Sequence, residues 1–337
     1  MNEPHDPRKG PWICDLKVGD KFVGHYLLRE AKLETFRDPS RGHFLRLQLA
    51  DRTGRIEARV WENAEDTASD LSQARVLKLE GEVEEYQGRL QVRVLRLRAA
   101  PEDEYNRADL QPATRRDVGA MMNEVERTIA GLQNPHLAAL LRLFFDDAGF
   151  RSAFMTAPAA TRIHQAYLGG LLEHTYETLL FSRPLVDLYP EIDRDLLTAG
   201  ILLHDIGKLE EFAWDLNIEY TDRGRLIGHV VIGAEKVDQA IVSIPAFPED
   251  LRLALHHMLL AHHGRYEWGS PRRPKTLEAV ALHHLENLDG QVNRFRTLIE
   301  AARLEGRSWT DYDRELGRSL YAGSETDLPV EESGLIS

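Results

Sequence analysis

A single cysteine, Cys14, stands in a chain of 337 residues, so no internal disulfide can form and a reducing compartment suits the sequence. No apolar run reaches the roughly 20 residues that a helix needs to cross a bilayer, so no membrane partner is expected. Basic residues are in deficit: 42 Lys and Arg face 55 Asp and Glu, a formal net charge of −13. That excludes a protein held to nucleic acid by bulk positive charge, while leaving room for a local basic groove. The opening residues, MNEPHDPRKGPW, are polar and lack an apolar stretch, so export is not expected and a cytoplasmic location is. Internal repeats are also missing. Two things are plentiful. Hydrophobic residues make up 42% of the chain, enough for a sizeable core, and there are 14 histidines, a first hint of metal.

The length suggests two domains, and the hydrophobic period changes once along the chain. Residues 12–100 read as β structure. HFLRLQLAD and GRIEARVWE alternate apolar and polar residues around the turn signal DRTG, Asp51 to Gly54. ARVLKLEGEVEEY and RLQVRVLRLRAA form a second pair around Gln87 and Gly88, and KFVGHYLLREAKLETF precedes both. The polar stretch ENAEDTASDLSQA reads as a short helix between the third and fourth strands. Five strands with a helix in that place are the layout of an all-β OB-fold barrel; another small barrel or a sandwich fits the same pattern.

Residues 101–114 form a polar, proline-containing linker. From 115 to 322 the apolar residues recur at i, i+3 and i+4, so an all-α domain is expected, followed by an acidic flexible tail over 323–337. Pro135, Pro158, Pro190 and Pro248 mark helix ends.

Inside the helical region one run breaks its own pattern. The apolar stretch TAGILL delivers His204 and Asp205 side by side, followed by Ile206, Gly207 and Lys208. Burying such groups without partners costs several kcal/mol. Further polar residues recur at helix ends or on apolar faces: His174, His229, His262, His263 and Asp289. Imidazole and carboxylate together suit divalent transition metals such as Mn, Fe, Co or Zn, and a metal supplies the partner that His204 and Asp205 need. Consecutive helical residues point about 100° apart, so Asp205 can bridge two ions while His204 holds one. His256, His257, His283 and His284 on helices, and His25 and His43 in strands, are read as hydrogen-bonded structural residues.

The ordered set His174, His204–Asp205, His229, His262–His263, Asp289 resembles the HD superfamily of metal-dependent phosphohydrolases. The resemblance implies an all-α fold with one or two divalent ions at its centre. One ion would be held by His174, His204, Asp205 and Asp289; a second would share Asp205 and add His229, His262 and His263. With the β domain in front, and with IHQAYLGGLLEHT, AGILLHDIGK, ALHHLENLDG and WTDYDRELGRSLY, the chain looks like the YhaM-type 3′–5′ exoribonucleases of bacteria.

By that resemblance the reaction is hydrolysis of single-stranded RNA to mononucleotides by water activated between two ions, Mn²⁺ first among the candidates and Mg²⁺ another. Single-stranded DNA is a further candidate substrate. Asp205 and Lys208 are the catalytic candidates: Asp205 orients the water, and Lys208 reaches a phosphate oxygen or simply ends a helix. The resemblance also puts His164 near the site, as a substrate contact or a support behind the ligands. Competing functions are a phosphohydrolase for a small nucleotide or cyclic dinucleotide, and an RNA-binding scaffold with an inactive HD domain. Oligomeric state is not legible.

An acidic protein still needs a surface for RNA. Strand alternation turns Leu45, Leu47, Leu49, Ile56, Ala58 and Val60 inward. The opposite face of the second and third strands then carries Phe44, Arg46, Arg55, Arg59 and Trp61, and the first loop adds Arg37 and Arg41. Aromatics interleaved with arginines suit unstacked bases and phosphates, although Glu57 lies among them.

Overall fold

The computed structural model describes residues 9–323 apart from 37, 87, 162–164 and 315. The expectations placed on His164, Arg37, Gln87 and the tail beyond residue 323 therefore lie outside the described residues. The chain divides into two compact units, residues 1–115 with 214–218, and residues 116–213 with 219–337.

The first unit is a closed barrel of β1 (Lys21–Thr35), β2 (His43–Asp51), β3 (Gly54–Val60), β4 (Val76–Tyr86) and β5 (Arg89–Ala99), with helix α1 (Ala64–Asp70) between β3 and β4. Strand order is β1-β2-β3-β5-β4; β3 meets β5 in parallel and the other pairs are antiparallel. The alternation places side chains as expected. Leu45, Leu47, Leu49 and Ala58 are fully buried, with Ile56 and Val60 beside them. Asp51 builds the β2–β3 turn: its Oδ1 accepts from Thr53 N (2.8 Å), Thr53 Oγ1 (2.6 Å) and Gly54 N (3.2 Å). Its other oxygen pairs with the buried Lys9 ammonium at 3.2 Å, so the buried carboxylate has its charge partner.

α1 is shorter than the polar stretch suggested, and its N-cap is Asn63, whose φ of 50° is left-handed. Residues 101–114, read as linker, contain two short 3₁₀ turns, and Leu110 is fully buried. Leu216, from the added segment 214–218, is buried in one cluster with Leu27, Ala50, Val76 and Leu110.

The second unit is helical: α2 (Val118–Ala130), α3 (Pro135–Phe145), α4 (Ala148–Thr156), α5 (Gly170–Leu188), α6 (Arg194–Leu203), α7 (Lys208–Glu211), α8 (Asp222–Leu226), α9 (His229–Val242), α10 (Glu249–Ala261) and α11 (Leu277–Leu304), with a two-strand ladder of β6 (Phe212–Ala213) and β7 (Glu219–Tyr220). The helix starts follow local chemistry. Asp117, Asn134, Asp147, Asp193 and Thr276 each accept a backbone N–H of the first turn that follows. The short helices α4, α7 and α8 escape periodicity because they span too few turns to show it. The segment WTDYDRELGRSLY folds back on α11: Trp309 bridges Tyr321, and Arg294 donates to both oxygens of Asp313 at 2.6 and 2.8 Å.

One detail matters for the site: His204 and Asp205 lie at the end of a buried helix. α6 ends at Leu203, and the pair sits in the turn that leads to α7. His262 and His263 likewise follow the end of α10, and Gly264 (φ 75°) then reverses the chain. At Gly264 a side chain would also collide with the His283 ring.

Candidate metal centre and nucleic-acid face

α5 contributes His174 from its first turns, the α6–α7 turn contributes His204 and Asp205, α9 begins with His229, and the end of α10 supplies His262 and His263. These segments are distant in sequence, yet their ligand atoms form two groups, His174–His204–Asp205 and His229–His262–His263, each with atoms within 4.8 Å of one another. Asp205 lies between them. Its Oδ2 is 3.2 Å from His204 Nε2 and 3.8 Å from His174 Nε2. Its Oδ1 is 3.4 Å from His229 Nε2 and 3.8 Å from His262 Nε2.

Hydrogen bonds behind the rings fix their tautomers. Each of the five imidazoles has Nδ1 against a group that can only accept: Asp289 Oδ2 for His174 (2.6 Å), Ile201 O for His204 (2.8 Å), Glu211 Oε1 for His229 (2.9 Å), Leu259 O for His262 (2.7 Å) and Trp268 O for His263 (2.9 Å). Nδ1 therefore carries the proton, and Nε2 presents a lone pair to the centre. Lone pairs cannot satisfy one another. His174 Nε2 and His204 Nε2 nevertheless face each other at 3.3 Å, as do those of His229 and His263. Asp205 Oδ1 and His262 Nε2 are buried without a hydrogen-bond partner. Apart from the Lys208 ammonium on Asp205 Oδ2, these converging acceptors meet no donor among the described residues, which fits a divalent cation.

The electrostatics agree. Burial pushes the Asp205 carboxyl up, but Lys208, His204 and His229 outweigh it and hold the group well below the usual carboxylate range. Burial and neighbouring imidazoles keep His262 far below an ordinary histidine and bring His263 down to about 4, so both stay neutral. Around them carboxylates crowd: burial and the adjacent Asp289 push Glu177 up to about 7, and burial with the charges of Asp205 and Asp289 does the same to Glu286.

Two further expected site residues, Asp289 and Lys208, lie beside these groups. Asp289 is buried at the site but joins neither converging group; its Oδ2 accepts from His174 and from Gln165 Nε2 at 2.8 Å. Lys208 is not extended toward open space. Its ammonium lies 2.6 Å from Asp205 Oδ2, one turn away.

Gly207 explains how the groups come so close. A methyl group there would sit on the His229 carbonyl oxygen and lie 2.7 Å from Gly233 N, so only glycine lets the α6–α7 turn rest on the start of α9. Gly207→Ala is accordingly expected to lower the unfolding free energy by about 1–3 kcal/mol, the usual cost of overpacking. A urea melt measures it, and an unchanged midpoint would contradict this backbone contact.

Sequence reading missed Glu211, Gln165 and the Trp268 carbonyl. Glu211 had a signal, a second carboxylate just after the His-Asp pair; a main-chain carbonyl has none. Of the histidines read as structural, His283 Nδ1 donates to His262 O (2.8 Å) and His257 Nε2 accepts from Lys275 N (2.8 Å), whereas His256 Nε2 lies 3.4 Å from Asp238 Oδ1 without a hydrogen bond.

On the barrel, Phe44 and Trp61 lie together on the outer face, ring centroids 5.1 Å apart, and Phe36 joins them at 5.2 and 5.7 Å. Phe36, at the end of β1, was not anticipated; the loop returns Gly42 to its backbone N–H at 3.2 Å and so brings it beside Phe44. Arg41 lies over Phe36, and Arg59 near Phe44 and Trp61. Arg46 is held by Glu34 (2.9 Å) and Glu30 (3.3 Å), and Arg59 by Glu57, while Arg55 is exposed. These pairs are partly exposed and individually weak, so a phosphate can compete for the guanidinium groups.

Residues 171–291 match the HD domain family, and residues 31–100 match the OB-fold nucleic acid binding domain family. The chain is 32% identical to a 3′-5′ exoribonuclease YhaM of Shouchella clausii over 317 residues, 94% of this chain and 97% of the relative. It is 34% identical to a protein of that name from a Geobacillus species over 86% of this chain and 89% of the relative. For the Bacillus subtilis protein of the same name the figures are 32%, 85% and 90%. An HD domain makes the protein a metal-dependent hydrolase, and its OB-fold domain points to a nucleic acid substrate. Similarity at this level along nearly all of both chains makes the protein a member of the YhaM family of 3′–5′ exoribonucleases.

Proposed function

We propose that this protein removes mononucleotides from the 3′ end of single-stranded RNA, with two divalent ions, Mn²⁺ foremost, held at the centre of the helical unit. One observation carries the reading: Asp205 turns one oxygen to each of two imidazole groups. His174, His204 and Asp205 would hold the first ion, with Asp289 fixing His174 from behind; Asp205, His229, His262 and His263 would hold the second. Such ions supply an activated water near neutral pH and offset charge on the phosphodiester.

The chain's own groups do the rest. The Nδ1 contacts keep five lone pairs aimed inward at no reorganisation cost during reaction. Lys208 locks the Asp205 carboxylate in place and adds a positive charge beside the position a phosphate would take. On the barrel, Phe36, Phe44 and Trp61 offer ring faces for unstacked bases, with Arg46, Arg55 and Arg59 for the backbone. Base stacking is insensitive to sequence, which suits an enzyme that must degrade any strand.

The test mixes purified protein with 5′-end-labelled single-stranded RNA and, separately, with nucleotides, each with and without Mn²⁺. A ladder shortening from the 3′ end only with Mn²⁺ is expected. Dephosphorylated nucleotides with intact RNA would instead assign a small-molecule phosphohydrolase, and inertness to both would leave a binding protein. On the barrel, the double variant Phe44→Ala, Trp61→Ala is expected to weaken binding of a single-stranded oligonucleotide roughly 30-fold or more, from stacking worth about 1–3 kcal/mol per ring. Fluorescence anisotropy reads this directly, and an unchanged Kd would remove these rings from the RNA path.

A further inference from the structure

Glu211 does two things with one oxygen. Its Oε1 accepts from the His229 ring Nδ1 at 2.9 Å and from the His229 backbone N–H at 3.0 Å. The carboxylate is buried, and it belongs to α7, the turn of helix that follows His204 and Asp205. His229 is the first residue of α9, where backbone N–H groups lack partners within the helix. Its N-cap is Gly228, which has no side chain to supply one. Glu211 therefore takes the part of a missing cap and of an imidazole anchor at once.

The place is prepared for it. Gly224 lies so close to the Glu211 main chain that a side chain there would collide with the Glu211 carbonyl oxygen. That carbonyl accepts from Thr221 N at 2.9 Å, and Thr221 in turn caps α8. Gly207 lets the same turn rest on the His229 backbone. Of the two groups around Asp205, only the His229 group depends on Glu211. The rings of His262 and His263 are anchored on main-chain carbonyls of their own segment, and His174 and His204 on Asp289 and Ile201.

We infer that Glu211 is the positioning residue of the second ion site: it sets the His229 tautomer and ties α9 to the turn that carries Asp205. The inference rests on the two-ion reading proposed above. Negative charge on the acceptor also makes the His229 Nε2 lone pair more basic, and loss of such an outer contact ordinarily weakens metal binding roughly 10- to 100-fold.

Two variants test it. Glu211→Ala removes the acceptor; Glu211→Gln keeps an oxygen of the same reach and removes only the charge. In metal-free protein, long-range ¹H–¹⁵N spectra of the imidazoles are expected to show His229 protonated on Nδ1 in the wild type and in Glu211→Gln, and mixed between its nitrogens in Glu211→Ala. Calorimetric titration with Mn²⁺ is expected to show one affinity unchanged within about threefold in both variants. The other should fall roughly 10- to 100-fold in Glu211→Ala and less in Glu211→Gln. Retention of the Nδ1 tautomer in Glu211→Ala overturns the inference, and so does an equal fall at both sites. A wild type that binds no Mn²⁺ refutes the two-ion reading instead, and the metal-free spectra still decide whether Glu211 sets the tautomer.

Discussion

Asp205→Asn is expected to abolish hydrolysis, by roughly 10³-fold or more, equivalent to about 4 kcal/mol of barrier, while binding of single-stranded RNA survives. The substitution keeps the shape of the side chain and one acceptor oxygen but removes the charge shared by both imidazole groups. Each carboxylate oxygen faces a different group, at 3.2 Å from His204 Nε2 and 3.4 Å from His229 Nε2, so a single change is expected to weaken both proposed ion sites together. The expected RNA-binding rings, Phe44 and Trp61, belong to the other unit and are untouched. The variant also leaves the Lys208 ammonium beside a neutral amide. Breaking a buried ion pair from one side can destabilise by about 3–5 kcal/mol, so folding of the variant is checked by circular dichroism before rates are compared. Turnover at the wild-type rate by a folded Asn variant would refute the bridging role of Asp205.

Exhaustive chelation is expected to remove all activity, and added Mn²⁺ to restore it. The same treatment is expected to lower thermal stability, because a ligand that binds only the folded state stabilises by about 2.7 kcal/mol at a hundredfold excess over its Kd. The physical reason is the crowding of acceptors: without a cation, Asp205 Oδ1 and His262 Nε2 are buried with no partner. At His263, acid is expected to compete with a metal only at low pH. Burial and the neighbouring His229 lower His263 to about 4, and a lowered imidazole pKa means that protons compete for Nε2 only near and below that pH. Full activity after every ion has been removed would rule out metal catalysis.

The barrel was legible because its signals are local. Alternation in β2 and β3 assigned Leu45, Leu47, Leu49, Ile56, Ala58 and Val60 to the core before any coordinates, and Asp51 to Gly54 announced the turn. The long amphipathic helices were equally plain, whereas α4, α7 and α8 were not, since helices of four to nine residues leave little periodic trace. Phe36 went unnoticed because its contact with Phe44 and Trp61 depends on how the intervening loop returns.

What the amino-acid order offered by itself is the inventory of candidate ligands: His174, His204, Asp205, His229, His262, His263 and Asp289 are residue types whose burial in apolar surroundings demands a partner, and that demand can be read without a fold. Which atom of each faces the centre was decided only in three dimensions. The proton on every imidazole is placed by an acceptor from elsewhere in the chain or from main chain a few residues away, as with Asp289, Glu211 and the Trp268 carbonyl. Tertiary structure likewise decided the contacts of Asp289 with His174 and of Lys208 with Asp205. Residue type sets which charges and lone pairs exist, but a hydrogen bond exists only at a distance and an angle, and those belong to the packing of helices against one another.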